Sequence, residues 1–343
     1  MSDRAGDRVL FIGGPGNLST SAIQELLSRG YQVAVLSTGE HFSELDPRVK
    51  QYPGNRNELP VLQQVIEDFR PDIVLDFVLF TPEQAERILS IVEGKLRQFV
   101  FISTVDVYGY PLSRLPFRED DLWYPTTQSA YAENKRQCEA ILRAHYHPAR
   151  FPLTIVRPAY SFGPRFILSF MSRDQGPAML RRLKTGRPIL VPGDGTTLMH
   201  VSSAVNTGKM IATLVDASRA IGKDYTCGHP VFTTHAGYIR LFAHVLGVEP
   251  NIVYIPTEII TAVDHPEICR CLLHALTRFN VAFSIDRFLR DFPVFQWEVT
   301  LDNWARQVVE WNKQQGLLNG PDEEILDDRI IRAWEAQIEG FNI

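Results

Sequence analysis

A doubly wound α/β fold is predicted for this chain by three features of its sequence. Short apolar runs alternate with helical segments through the first half. The runs are continuously apolar, and a glycine-rich turn follows the first of them. Continuous runs mark strands buried on both faces, as in a parallel sheet covered by helices. A smaller α+β lobe is expected to follow the sheet.

In chain order, the first strand is RVLFIGG, followed by a helix from Leu18 to Arg29 and the strand QVAVLS. A helix from Glu58 to Asp68, the strand DIVLDFV and a helix from Pro82 to Glu93 come next. The strand QFVFIST, a helix carrying YAENK at 131–135, and the strand LTIVRPA complete the alternation. Beyond Pro164 the rhythm becomes irregular, with a basic helical segment MLRRLKTGR, helices over Val205–Val215 and Ala236–Leu246, and a strand over Asn251–Ile255. The expected division is a sheet domain over 1–164 and a ligand-closing lobe over 165–343, with 200–220 packing back on the first. In the tail, Leu326, Ile330, Trp334 and Ile338 recur every four residues, an apolar stripe that must dock on this chain or on a second copy.

The chain has 343 residues, 45% hydrophobic and 22% charged, with 35 basic against 40 acidic residues and a net charge of -5. That balance and the lack of a long basic run argue against nucleic acid as a partner. No secretory leader or stretch of about 18 apolar residues is read in the sequence, so the expectation is a cytoplasmic protein without a membrane partner. Four cysteines point to reduced thiols. His265, Cys269, Cys271 and His274 lie close in sequence, but on a helix Cys269 and Cys271 point to different sides, and no metal site is expected.

The turn after the first strand reads GGPGNLS, with Gly13 and Gly16 spaced G-x-x-G, then Asn17 and Leu18, and Ser19 where a third glycine often stands. Between a strand and a helix, such a loop brings backbone amides to a pyrophosphate at a helix N-terminus. A dinucleotide cofactor is therefore expected over 1–164. At the end of the second strand, Ser37 and Thr38 occupy the place where an acid would hold the adenosine ribose of NAD. His41 is the nearby base for a 2′-phosphate. Tyr131 and Lys135 stand four apart, on one face of a helix, where the ammonium favours the phenolate.

Taken together, the glycine loop, FISTVDVYG, YAENK and RPAYSFGP resemble, in order and spacing, the extended short-chain dehydrogenase/reductase family, in its NAD-dependent epimerase/dehydratase branch. The resemblance implies a Rossmann-type sheet and NAD as cofactor, with NADP left open. It implies a nucleotide-type small-molecule substrate and a homodimer. By the same resemblance Tyr131 is the acid/base and Lys135 lowers its pKa and binds the nicotinamide ribose. Thr104, four before Tyr108, holds the reacting hydroxyl. Ser103 is its rival, and strand alternation is expected to send the two to opposite faces. Asp106 stands where the dehydratases carry a proton-moving acid. Asn55, in YPGNRNE, replaces the acid beside the adenine. Tyr160 replaces an asparagine that contacts substrate phosphate, and Arg165 is a further substrate contact. Arg165, Arg181, Arg182, Lys184 and Arg187 form a basic cluster that could supply other basic contacts, with most of its members expected on a solvated helix face. The expected function is epimerisation of a nucleotide sugar or related nucleotide through a transient ketone. Dehydration of such a sugar, a reductase or dehydrogenase for a small natural product, and a non-catalytic RNA-binding relative are the alternatives.

Overall fold

The computed structural model describes residues 6–127, 129–168, 176–269, 272–320 and 324–340. The first half builds β1 (Arg8–Ile12), α1 (Ser19–Ser28), β2 (Gln32–Ser37), β3 (Lys50–Pro53), α2 (Leu59–Phe69), β4 (Ile73–Asp76), α3 (Pro82–Val92), β5 (Gln98–Ile102), α4 (Ala130–Ala144) and β6 (Leu153–Pro158). Seven parallel strands form one sheet in the order Asp224–Cys227, β6, β5, β4, β1, β2, β3. Chain order reverses between β1 and β4, and the carboxyl ends of strands at such a switch form a ligand crevice.

The continuous apolar runs are explained by the two covered faces. Val9 and Phe11 pack with α1 and the helix Ala204–Leu214, whereas Leu10 and Ile12 pack with α2, α3 and α4. Two strands of this sheet went unread. Lys50–Pro53 is a largely exposed edge strand with no apolar run, and Asp224–Cys227 joins the opposite edge from far along the chain. Helix starts follow local chemistry: Thr81 and Gln84 cap α3 reciprocally around Pro82, and the Ser129 hydroxyl accepts the Ala132 amide at the head of α4.

In the second half, the helix Leu326–Glu339 carries the apolar stripe. Ile330 and Ile331 dock on this chain's own Leu190, Ile255, Ile260, Ile268 and Leu273, with Leu326 and Trp334 beside them; Ile338 is exposed. Within the basic cluster, Arg182 departs from a solvated face. Arg182 is buried and holds Asp328 through two bonds, Nη1 to Oδ2 at 2.9 Å and Nη2 to Oδ1 at 2.6 Å. Arg187 joins Asp328 at 3.2 Å, while Arg181 and Lys184 reach the Leu317 carbonyl and the Asn319 side chain. These cations anchor the C-terminal segment. Cys271 and the side chain of Cys269 lie outside the described residues, and among the described residues no cluster of metal-ligating side chains occurs. No described helix is long and apolar enough to cross a membrane.

Candidate active site

The phosphate loop closes between β1 and α1 by using its own polar atoms. Ser19, where a glycine was the alternative, is buried and its Oγ accepts the Gly16 amide at 2.8 Å, while Thr20 Oγ1 donates to the Gly16 carbonyl at 2.8 Å. Gly13 adopts φ +92, and a Cβ there would lie 2.7 Å from Val78 Cγ1. Only glycine meets both conditions without strain. Gly13→Ala is therefore expected to destabilise the fold by about 1–3 kcal/mol and to weaken cofactor binding. Calorimetric unfolding that gave an unchanged Tm would contradict this.

The loop opens on a cavity of about 320 Å³ lined by Gly13, Ser37, Thr38, Glu40, His41, Asn55 and Arg56 among others. Three of these refine the reading of the sequence. Glu40 brings a carboxylate to the same cavity wall as Ser37 and Thr38. His41 lies 3.3 Å from Glu44. Asn55 Oδ1 accepts the Asn57 amide at 2.9 Å, which leaves that carbonyl oxygen a second lone pair.

Arg56 and Asp76 were missed in the sequence. Arg56 Nη2 meets Asp76 Oδ2 at 2.6 Å, with both side chains buried, and Asp76 Oδ1 accepts the Val78 amide at 3.1 Å. Burial pushes the Asp76 carboxyl up, against the opposing pull of Arg56. The available signal was a charged residue within the apolar run DIVLDFV, because a carboxylate in a doubly covered strand needs a buried partner.

A second cavity, of about 440 Å³, is lined by Asn17, Leu18, Ser103, Thr104, Asp106, Tyr131, Lys135 and Tyr160, with Phe166, Leu168, Leu272 and Leu276 on an apolar wall. Phe80 connects the two cavities: it lines the first, and its ring centroid lies 6.2 Å from that of Tyr131 and 4.7 Å from Lys135 Nζ. Lys135 is buried, donates to the Ile102 carbonyl at 2.7 Å and lies 4.8 Å from the Phe101 ring. Burial lowers its pKa to about 8, so most of the ammonium survives at neutral pH. Asn17 Nδ2 donates to the Ser161 carbonyl at 2.7 Å, tying the phosphate loop to the strand Tyr160–Phe162.

Ser103 and Thr104 both line this cavity, contrary to the expected alternation, because β5 ends at Ile102 and the period of two ends with it. Thr104 Oγ1 accepts the Asp106 amide at 3.2 Å and keeps its own proton to donate; Ser103 Oγ is buried without a hydrogen-bond partner among the described residues. Tyr110 donates to Asp106 Oδ1 at 3.0 Å, Tyr160 reaches the same oxygen at 3.4 Å, and the two phenols are 2.7 Å apart. Arg165 pairs with Glu44. His200, in the segment GDGTTLMHV, serves the core: Nδ1 accepts the Phe283 amide, which leaves the Nε2 proton for the His229 carbonyl, and burial lowers its pKa to about 4.

A glycine loop at a sheet's switch point, with a Tyr-x-x-x-Lys helix facing hydroxyl residues at the end of β5, defines a dinucleotide-dependent enzyme of the extended short-chain dehydrogenase/reductase type. A sequence profile of the NAD dependent epimerase/dehydratase family matches residues 9–228, more than half of the chain, and the chain belongs to that family. It is 28% identical over 155 residues to a UDP-glucose 4-epimerase of Lactobacillus helveticus, an alignment covering 39% of this chain and 46% of that protein. The aligned segment thus spans about half the length of the curated relatives it matches. Among solved structures, an epimerase from Methanothermobacter thermautotrophicus superposes with a TM-score of 0.73 at 17% identity, covering 92% of this chain and 94% of the other. The dTDP-glucose 4,6-dehydratase of Bacillus anthracis, solved with NAD, gives 0.71 at 17% identity, covering 91% and 99%. Both likenesses are of fold.

Proposed function

We propose that this protein is a redox-neutral epimerase of a nucleotide-linked sugar or related nucleotide. Its NAD would lie along the two cavities, with the pyrophosphate on the Gly13–Leu18 loop, the adenine beside Asn55, and the adenosine ribose beside Ser37, Thr38 and Glu40. The glycine cradle and the open cavity at its mouth fit such a group. Bound there, NAD supplies a hydride acceptor that returns the hydride within the same turnover. Lys135 holds the distal ribose and favours the Tyr131 phenolate. Tyr131 takes the proton of the substrate hydroxyl as the carbinol becomes a ketone, and gives it back after the ketone has presented its other face. Thr104 orients that hydroxyl. Tyr160 and Arg165 are the proposed outer contacts to the substrate, the latter after exchanging Glu44 for a phosphate.

Epimerisation rather than dehydration is supported by one observation, the state of Asp106. Elimination of water needs an acid that delivers a proton to the leaving hydroxyl. Asp106 Oδ1 is instead engaged by the hydroxyls of Tyr110 and Tyr160. That oxygen acts as an acceptor, so only Oδ2 could deliver a proton. Product formed in heavy water is expected to carry no deuterium on carbon, and Asp106→Asn to keep turnover within about tenfold of wild type, well short of the loss expected for a catalytic acid. Solvent deuterium on the carbon next to the oxidised one, together with an inactive Asp106→Asn enzyme, would overturn epimerisation through a transient ketone.

A further inference from the structure

We propose that the buried Arg56–Asp76 pair is a positioning device for Lys135, with the Asp76 carboxylate acting as the counter-charge that holds the lysine ammonium at the floor of the reaction cavity. Arg56 lines the phosphate-loop cavity, whereas Asp76 lines neither cavity. The pair stands at the carboxyl end of β4, at the switch point itself, and the parallel register sets Asp76 beside Phe101 of β5. The Phe101 ring is one of the surfaces on which the Lys135 Nζ rests, at 4.8 Å, so Asp76 and the ammonium converge on the same residue from neighbouring elements.

A lysine enclosed by the rings of Phe80, Phe101 and Tyr131, with one carbonyl acceptor at Ile102, is poorly compensated unless a negative charge stands near it. The charged and titratable groups acting on it are Asp76 from β4, Arg56 from the turn after β3, and Cys138 and Glu139 from its own helix; Asp76 is the largest of the charges that favour its protonation, and Arg56 opposes it. Glu139 is already bound to Arg157 at 2.6 Å, and burial pushes the Cys138 thiol up to about 12, leaving it neutral. Asp76 therefore carries the task. Arg56 has a separate part: it keeps Asp76 ionised in a site that would otherwise neutralise it.

The role assigned to Lys135 in turnover rests on the function proposed above, but the charge coupling can be read without substrate or cofactor. Acetic anhydride acetylates only the neutral amine. The pH-dependence of labelling at Lys135, quantified by peptide mass spectrometry, gives the midpoint of its titration in the folded protein. The expected midpoint is near 8 in the wild type. In Asp76→Asn it falls by about one pH unit or more. In the double variant Arg56→Met/Asp76→Asn, which removes both charges and keeps an acceptor for the Val78 amide, it falls as well, although less. A purely structural pair would leave the midpoint of the folded double variant within a few tenths of a unit of wild type, and that result would overturn the proposal. Failure of the protein to bind NAD would overturn the proposed function and leave this titration intact.

Discussion

Tyr131→Phe is expected to lower kcat by about 10²–10⁴-fold while NAD still binds and the protein stays folded. Tyr131 is partly exposed on α4, and its ring packs against Phe80 across 6.2 Å. Phenylalanine keeps that contact and removes only the hydroxyl, the proposed acid/base. An ordinary phenol, with a pKa near 10, is a poor base at neutral pH. In the proposed mechanism the ammonium on the next turn of the helix favours its anion, and Lys135 keeps most of its proton below about pH 8. Affinity for the cofactor ribose should accordingly be constant below that value and decline above it in both proteins. Steady-state kinetics on the identified substrate, beside NAD calorimetry, checks both halves of this expectation. Full turnover in the phenylalanine variant would remove Tyr131 from the chemistry.

Arg56→Met is expected to cost about 3–5 kcal/mol of stability, because it strands the Asp76 carboxylate in a buried site. The double variant Arg56→Met/Asp76→Asn should recover much of that loss. The pH-dependence has a definite sign. Asp76 has a folded-state pKa above the ordinary carboxylate value, and removing Arg56 moves it further in that direction. The unfolded chain then releases the proton more readily than the folded one. Stability of Arg56→Met should be greatest below the ordinary carboxylate range and fall as pH rises through the raised folded-state value. Urea unfolding of the wild type, the single and the double variant at acid and neutral pH measures it. Equal destabilisation of the single and double variants would mean that the buried charge is not the cause.

Much of the sheet was legible because its physics is local. A strand covered on both faces must be apolar at consecutive positions, as in Val9–Ile12 and Phe99–Ile102, and the intervening helices announce themselves by caps such as Thr81 and Ser129. The edge strands carried no such signature. Lys50–Pro53 is mostly solvent-facing, and Asp224–Cys227 is recruited to β6 from more than 60 residues downstream of it. Short-range periodicity also misled at Ser103, where the strand had already ended.

What the sequence by itself determined is the local spacing of the candidate site groups: the glycine loop, Thr104, and Tyr131 with Lys135 one helical turn apart. Spacing along a strand or helix is a property of backbone geometry, and it survives whatever the rest of the chain does. Tertiary structure alone decided which charges meet. Arg56 and Asp76 are 20 residues apart and Arg182 and Asp328 are 146 apart, yet each pair is buried in contact. Asp106 is reached by Tyr160 from a strand 54 residues further on, and Arg165 pairs with Glu44 from 121 residues away. The strength of each charge pairing depends on distance and desolvation, and both are set only when distant segments of the chain close around the charges.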